Sequence, residues 1–209
     1  MKGFFRCIAI VIPASLLLIS CATTKLTHIW TDEAYHGAPF SHVLVVGVSD
    51  KERVRRSFED EFVKRLKEIG IEGVASAAAI PSDQKLEKEA ILSAVERFGV
   101  DAVLVTHLLG VDKKETYHRP STYYRPSPYH YGGYYGYYGN VYSYVHSPGY
   151  YTTHVTVRLE TNLYEAETEK LIWSGKSETL DPESKPEMID SVINVVVKNL
   201  QKDKLLPQK

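Results

Sequence analysis

The sequence predicts an α/β protein: a mixed sheet of about five strands with three helices packed on it. Three observations carry that prediction. Two almost wholly apolar runs, His42–Val48 (HVLVVGV) and Val100–Val111 (VDAVLVTHLLGV), have the character of strands buried on both faces. Two amphipathic helical patterns are interleaved with them. After residue 151 the period changes to strict alternation, the mark of a sheet face open to water. The order is therefore βαβαβ, then a β-hairpin and a C-terminal helix. Short connections and right-handed crossovers make the first part parallel or mixed.

Each element has its own signal. Thr27–Asp32, around Trp30, has the character of a short strand. Ser49 with Glu52 has capping-box spacing, and Val54, Phe58, Phe62, Leu66 and Ile69 follow on one helical face up to Gly70. Ile71–Ile80 is a weak strand, punctuated by Pro81 and Ser82. Leu86, Ala90, Ala94, Val95 and Phe98 mark a second helix, stopped by Gly99. In Thr152–Tyr164 the residues Val155, Val157, Leu159, Thr161 and Leu163 face one way, and Thr156, Arg158, Glu160 and Asn162 the other. The return strand is Lys170–Thr179. Ser184 with Glu187 caps the last helix, whose apolar face is Ile189, Val192, Ile193, Val196, Val197 and Leu200.

The first twenty residues have a different logic. Lys2 and Arg6 precede an apolar stretch from Ile8 to Ile19. At about 12 residues it is short for a ~30 Å hydrocarbon core and fits a secretory signal. It ends Leu18-Ile19-Ser20-Cys21, which resembles a bacterial lipobox. The resemblance implies cleavage after Ser20, diacylglycerol on the Cys21 thiol and acylation of the new amino terminus. Ala22, in place of an Asp, favours the outer membrane under the same resemblance. Residues 1–20 are then the signal peptide and 21–41 a lipidated tether. Residues 42–205 are one α/β domain, with a Tyr/Gly-rich insertion at 117–151. Cys7 and Cys21 are the only two cysteines of the 209 residues. After processing no thiol remains for a disulfide, a cysteine nucleophile or a Cys-zinc site. The expected location is the outer membrane, lipid-anchored and facing the periplasm.

The motifs R-x-x-F-E-D-E-F-x-x-x-L at Arg55–Leu66 and Y-E-A-E-T-x-K-L-I-W-S-G at Tyr164–Gly175 resemble those of a group of poorly characterised bacterial lipoproteins. That group is similar in layout to the curli-secretion lipoprotein, the lipoprotein activators of penicillin-binding proteins, and the amino-terminal domain of the Tol-Pal translocation protein. The resemblance implies an α/β sandwich and a binding or assembly role at the cell envelope.

Composition adds one positional signal. Twelve of the 15 tyrosines lie between Pro120 and Tyr151, interleaved with Gly and Pro and with no Leu, Ile or Phe. No Asp or Glu occurs between Glu115 and Glu160, whereas Arg119, Arg125 and Arg158 do. Three readings stay open: a low-complexity loop without a specific role, a sticky surface for an envelope protein or for self-association, and a stacking platform for peptidoglycan or lipopolysaccharide sugars. The candidate contact residues are Arg125, Tyr131, Tyr134, Tyr135, Tyr137 and Tyr138.

The sequence offers no catalytic motif. Gly175-Lys176-Ser177 echoes a phosphate loop, but Lys170 stands where the loop requires Gly. G-x-S-x-G, H-E-x-x-H and G-x-G-x-x-G are absent. The eight His form no HxH or HxxxH pair, so neither metal nor cofactor is expected. Glu59, Asp60 and Glu61 read as the solvated side of the first helix, balanced by Lys64, Arg65 and Lys67. A formal charge of −1 and the exported compartment argue against nucleic acid. The expectation is a non-enzymatic envelope module that contacts a protein or glycan. The alternative is a subunit of a homo-oligomeric outer-membrane export assembly, which needs spanning hairpins apolar on their lipid side.

Overall fold

The computed structural model describes residues 23–80, 87–119, 134–136 and 149–208. The strands are β1 (Thr23–Thr31), β2 (His42–Val48), β3 (Glu72–Ala75), β4 (Ala102–His118), β5 (Tyr150–Glu165) and β6 (Leu171–Leu180). The helices are α1 (Glu52–Glu68), α2 (Ser76–Ala79), α3 (Lys88–Phe98) and α4 (Lys185–Lys202). One mixed sheet has the order β1-β6-β5-β4-β2-β3. β2 lies parallel to β3 and β4, and the remaining pairs are antiparallel.

The α/β class and the element order are those expected from the sequence. The sixth strand comes from the stretch read as a tether. Within 21–41, residues Thr23–Thr31 pair along the whole of β6, from Thr23 opposite Leu180 to Thr31 opposite Trp173. A bulge between Leu26 and His28 breaks the alternation that would have marked all nine residues as a strand. The weak second strand is shortened to four residues, and its second half is α2.

Two apolar layers flank the sheet. On one side α1 and α4 lay Phe58, Phe62, Leu66, Ile189, Val192, Ile193, Val196, Val197 and Leu200 over Val43, Val45, Ala102, Leu104, Leu163 and Trp173. On the other, α3 covers only the β2–β4 region, where Ala94, Val95 and Ile91 meet Leu44, Val46, Val103 and Val105. α4 is capped as its sequence specifies: Ser184 Oγ accepts from the Glu187 backbone N–H. Gly70 (φ 82°) and Gly99 (φ 58°) sit in the left-handed region just beyond α1 and α3, where a side chain would be strained.

Two readings of α1 need correction. Ser49 does not cap it; its Oγ accepts from the Lys51 N–H in a local turn, and the N-cap is Lys51. Glu59 is not on the solvated side. Its side chain is 0% exposed. It accepts from the Gly47 N–H at 2.9 Å, the Ser76 Oγ–H at 2.6 Å and the Ala77 N–H at 2.7 Å. Arg55, one turn earlier, brings its Nε to 4.0 Å. A buried carboxylate is tolerated when its oxygens are met by donors and a counter-charge. Glu59 therefore pins α1, the end of β2 and the start of α2 to one another.

The aromatic arm and the open sheet face

β4 and β5 are much longer than the strands around them. β2 accompanies β4 only from Ala102 to His107, and β6 accompanies β5 only as far as Thr156, opposite Leu180. Pairing between β4 and β5 continues past that row: Lys113 with Val155, Lys114 with His154, Glu115 with Thr153, Thr116 with Thr152, Tyr117 with Tyr151 and His118 with Tyr150. Six residues per strand therefore project as a two-stranded arm of about 20 Å, at roughly 3.4 Å per residue. The insertion expected over 117–151 is accordingly carried on strands, and only residues 119–149 lie between them.

The arm ends in aromatic pairs on both of its faces. Residues directly opposite one another share a face, and neighbours along a strand alternate. Tyr117 and Tyr151 pack in a tilted arrangement with ring centroids 4.9 Å apart on one face. His118 and Tyr150 stack at 4.8 Å on the other. Tyr150 and Tyr151 remain 64% and 69% exposed, so these rings fill no core. Of the residues singled out in the sequence, Tyr134 and Tyr135 are described. Both are exposed, and their rings lie 4.3 Å apart. Their hydrogen bond raises the Tyr134 hydroxyl above the ordinary phenol pKa. Arg125, Tyr131, Tyr137, Tyr138 and the lipidation residue Cys21, with the whole of 1–20, lie outside the described residues.

At the foot of the arm, Asp181 fixes the β5 backbone. Its carboxylate accepts from the Val155 N–H at 2.7 Å and pairs with His154 Nδ1 at 2.7 Å. These contacts, His154 foremost, hold the Asp181 carboxyl below the usual carboxylate range.

The second surface is the sheet face over β5, β6 and β1, on the side where α3 covers only β2 and β4. Two rows of alternating charge cross the strands. Arg158 pairs with Asp112 on β4 and with Glu178 on β6 at 3.0 Å, and Glu178 meets Lys25 on β1 at 3.8 Å. In the next row Glu160 lies between His107 at 3.7 Å and Lys176 at 3.6 Å. Glu178 and then Asp112 raise the Arg158 pKa further. Trp30 lies toward the far end of the same face, 49% exposed. The charges satisfy one another across the strands, so this face reads as a solvated surface.

Among the described residues no cluster of three or more His, Cys, Asp or Glu could hold a metal ion. Two surface grooves are found among the described residues, a shallow one between α3 and the β5–β6 turn, lined by Ile91, Val95, Val103 and Tyr164, and one around Pro39, Phe40 and Gly99. Neither brings a nucleophile to a base. Among the described residues no helix is long and apolar enough to cross a membrane.

Neither a protein-family model nor a curated protein matches the sequence. Among solved structures the chain is similar to the PelC dodecamer from Paraburkholderia phytofirmans, at 12% identity over 89% of this chain and 100% of that one, with a TM-score of 0.47. It is also similar to lipoprotein GNA1162 from Neisseria meningitidis, at 15% identity over 78% of this chain and 99% of that one, with a TM-score of 0.42. At these values the functional reading rests on this chain's own residues.

Proposed function

We propose that this chain is a lipid-anchored envelope protein of the outer membrane, facing the periplasm, with a non-enzymatic binding or assembly role. Its contact surface is the arm with the Tyr-rich segment it carries, and its partner is an envelope protein or a glycan. The observation behind this reading is that the arm lies beyond every layer of its own domain. Two strands projecting about 20 Å past their neighbours, with exposed rings on both faces, bury nothing that the fold requires. Exposed aromatic side chains of this kind supply contact area at low entropic cost.

The export-subunit reading requires a hairpin with one apolar face. Along the described arm one face carries Lys113 and Glu115, and the other carries Lys114, His154, Thr116 and Thr152. Neither offers a lipid-facing stripe of aliphatic residues.

Replacing residues 120–149 with an Asn-Gly turn keeps both strands and removes the segment. The proposal predicts loss of capture of an envelope protein or of peptidoglycan in pull-downs from cell envelopes, with thermal stability retained. Capture identical to that of the parent chain for every envelope component would refute the segment's role.

A further inference from the structure

The topology fixes where the arm points relative to Thr23, the first described residue, which follows Cys21 by two positions in the sequence. β5 runs away from the arm, β6 returns toward it, and β1 is antiparallel to β6. The first residue of β1, Thr23, is opposite Leu180, and Leu180 is opposite Thr156 at the foot of the arm. The anchored end of the chain and the arm therefore leave the sheet from the same edge. They are two strand spacings apart, about 10 Å. The β5–β6 turn at residues 166–170 lies at the opposite edge.

Length turns this placement into a constraint. Cys21 precedes Thr23 by two residues, and two residues reach at most about 7 Å. The arm extends about 20 Å past the same row. A domain held that close to a bilayer by Cys21, with its strands steeply inclined to the surface, brings the end of the arm to the lipid interface.

Its chemistry suits that position. Tyr117, Tyr150 and Tyr151 are exposed at its end, and Tyr is one of the residues favoured where one side of a ring is apolar and its hydroxyl is wet. Between residues 113 and 157 the basic side chains Lys113, Lys114, Arg119 and Arg125 face a single acidic one, Glu115. That balance suits anionic headgroups.

We propose that the aromatic end of the β4–β5 arm is a membrane-interface element that docks on an anionic phospholipid surface beside the Cys21 anchor. The proposal rests on the anchor reading for its geometry. It deepens the proposed function by presenting the Tyr-rich segment at the lipid surface, where its protein or glycan partner would be met.

The test uses the mature chain with Cys21→Ser, so that binding does not depend on acylation. A single environment-sensitive dye is placed at Thr153→Cys, on the arm, or at Glu167→Cys, in the turn at the opposite edge. The probe is vesicles of phosphatidylethanolamine and phosphatidylglycerol with nitroxide-labelled lipid. The arm dye is expected to blue-shift and be quenched by the nitroxide, and the turn dye to do neither. Replacing Tyr117, Tyr150 and Tyr151 together with Ser should weaken vesicle partitioning by about ten-fold or more, while Trp30→Ser leaves it unchanged. Equal response of the two dyes, no response of the arm dye, or undiminished partitioning of the triple variant would overturn the proposal. A chain that binds vesicles through the arm but carries no acyl group in the cell would refute the anchor alone.

Discussion

Glu59→Ala is expected to destabilise the chain by about 3–5 kcal/mol, the range for removing one partner from a buried, hydrogen-bonded charge site. The alanine leaves the Gly47 N–H, the Ala77 N–H and the Ser76 hydroxyl without their acceptor. Each buried orphan donor costs roughly 1–3 kcal/mol, and the neighbouring Arg55 loses its compensating charge. Glu59→Gln keeps the volume but presents one donor-bearing nitrogen to a site made of donors, so it should fall between the parent and Glu59→Ala. Urea unfolding at neutral pH measures both. A midpoint for Glu59→Ala matching that of Asp60→Ala, an exposed neighbour on the same helix, would show that the carboxylate does not join the three elements.

Trp173→Ala is the second large effect, expected to cost about 3–5 kcal/mol, as for other large aromatic truncations in cores. Trp173 is 0% exposed, faces α4, and donates from Nε1 to Asn199 Oδ1 at 3.1 Å. Its ring lies over Gly175 on the same strand, where an added Cβ would stand 2.3 Å from the ring's Cη2. Gly175→Val should therefore also be strongly destabilising, because the ring would have to leave its site. Both are read from unfolding midpoints. Retention of the parent midpoint by either variant would contradict this packing.

These two positions show what the sequence made legible. Trp173 lies in the return strand Lys170–Thr179 of the hairpin, which was legible as a strand. α4 was equally plain, because Ser184, Glu187 and the spacing of Ile189, Val192, Ile193, Val196, Val197 and Leu200 agree. Glu59 was hidden in the run Glu59-Asp60-Glu61, where local charge suggested solvent. The signal that would have found it is the 4-3-4 spacing of Arg55, Glu59, Phe62 and Leu66, which puts the carboxylate on the helix's buried stripe. β1 was partly hidden because its bulge shifts the alternation between Leu26 and His28.

The arm was the least legible element. A strand shows itself in sequence when one face is buried and the other wet. Lys113–His118 and Tyr150–Val155 bury neither face, so their residues carry no period. Only the pairing register reveals that the insertion starts later and ends earlier than composition indicated. The position of the arm at the edge where β1 begins was likewise beyond the sequence, since it depends on the order β1-β6-β5-β4.

The envelope location and the orientation of the arm both depend on the anchor at Cys21. The direct measurement is the intact mass and amino-terminal sequence of the chain isolated, with its own leader, from the membranes of a two-membrane bacterium. The expected result is loss of residues 1–20, a chain beginning at Cys21 with a diacylglyceryl group and an acylated amino terminus, and recovery with the outer membrane. An unmodified Cys21, or a processed chain recovered only in the soluble periplasmic fraction, would contradict it.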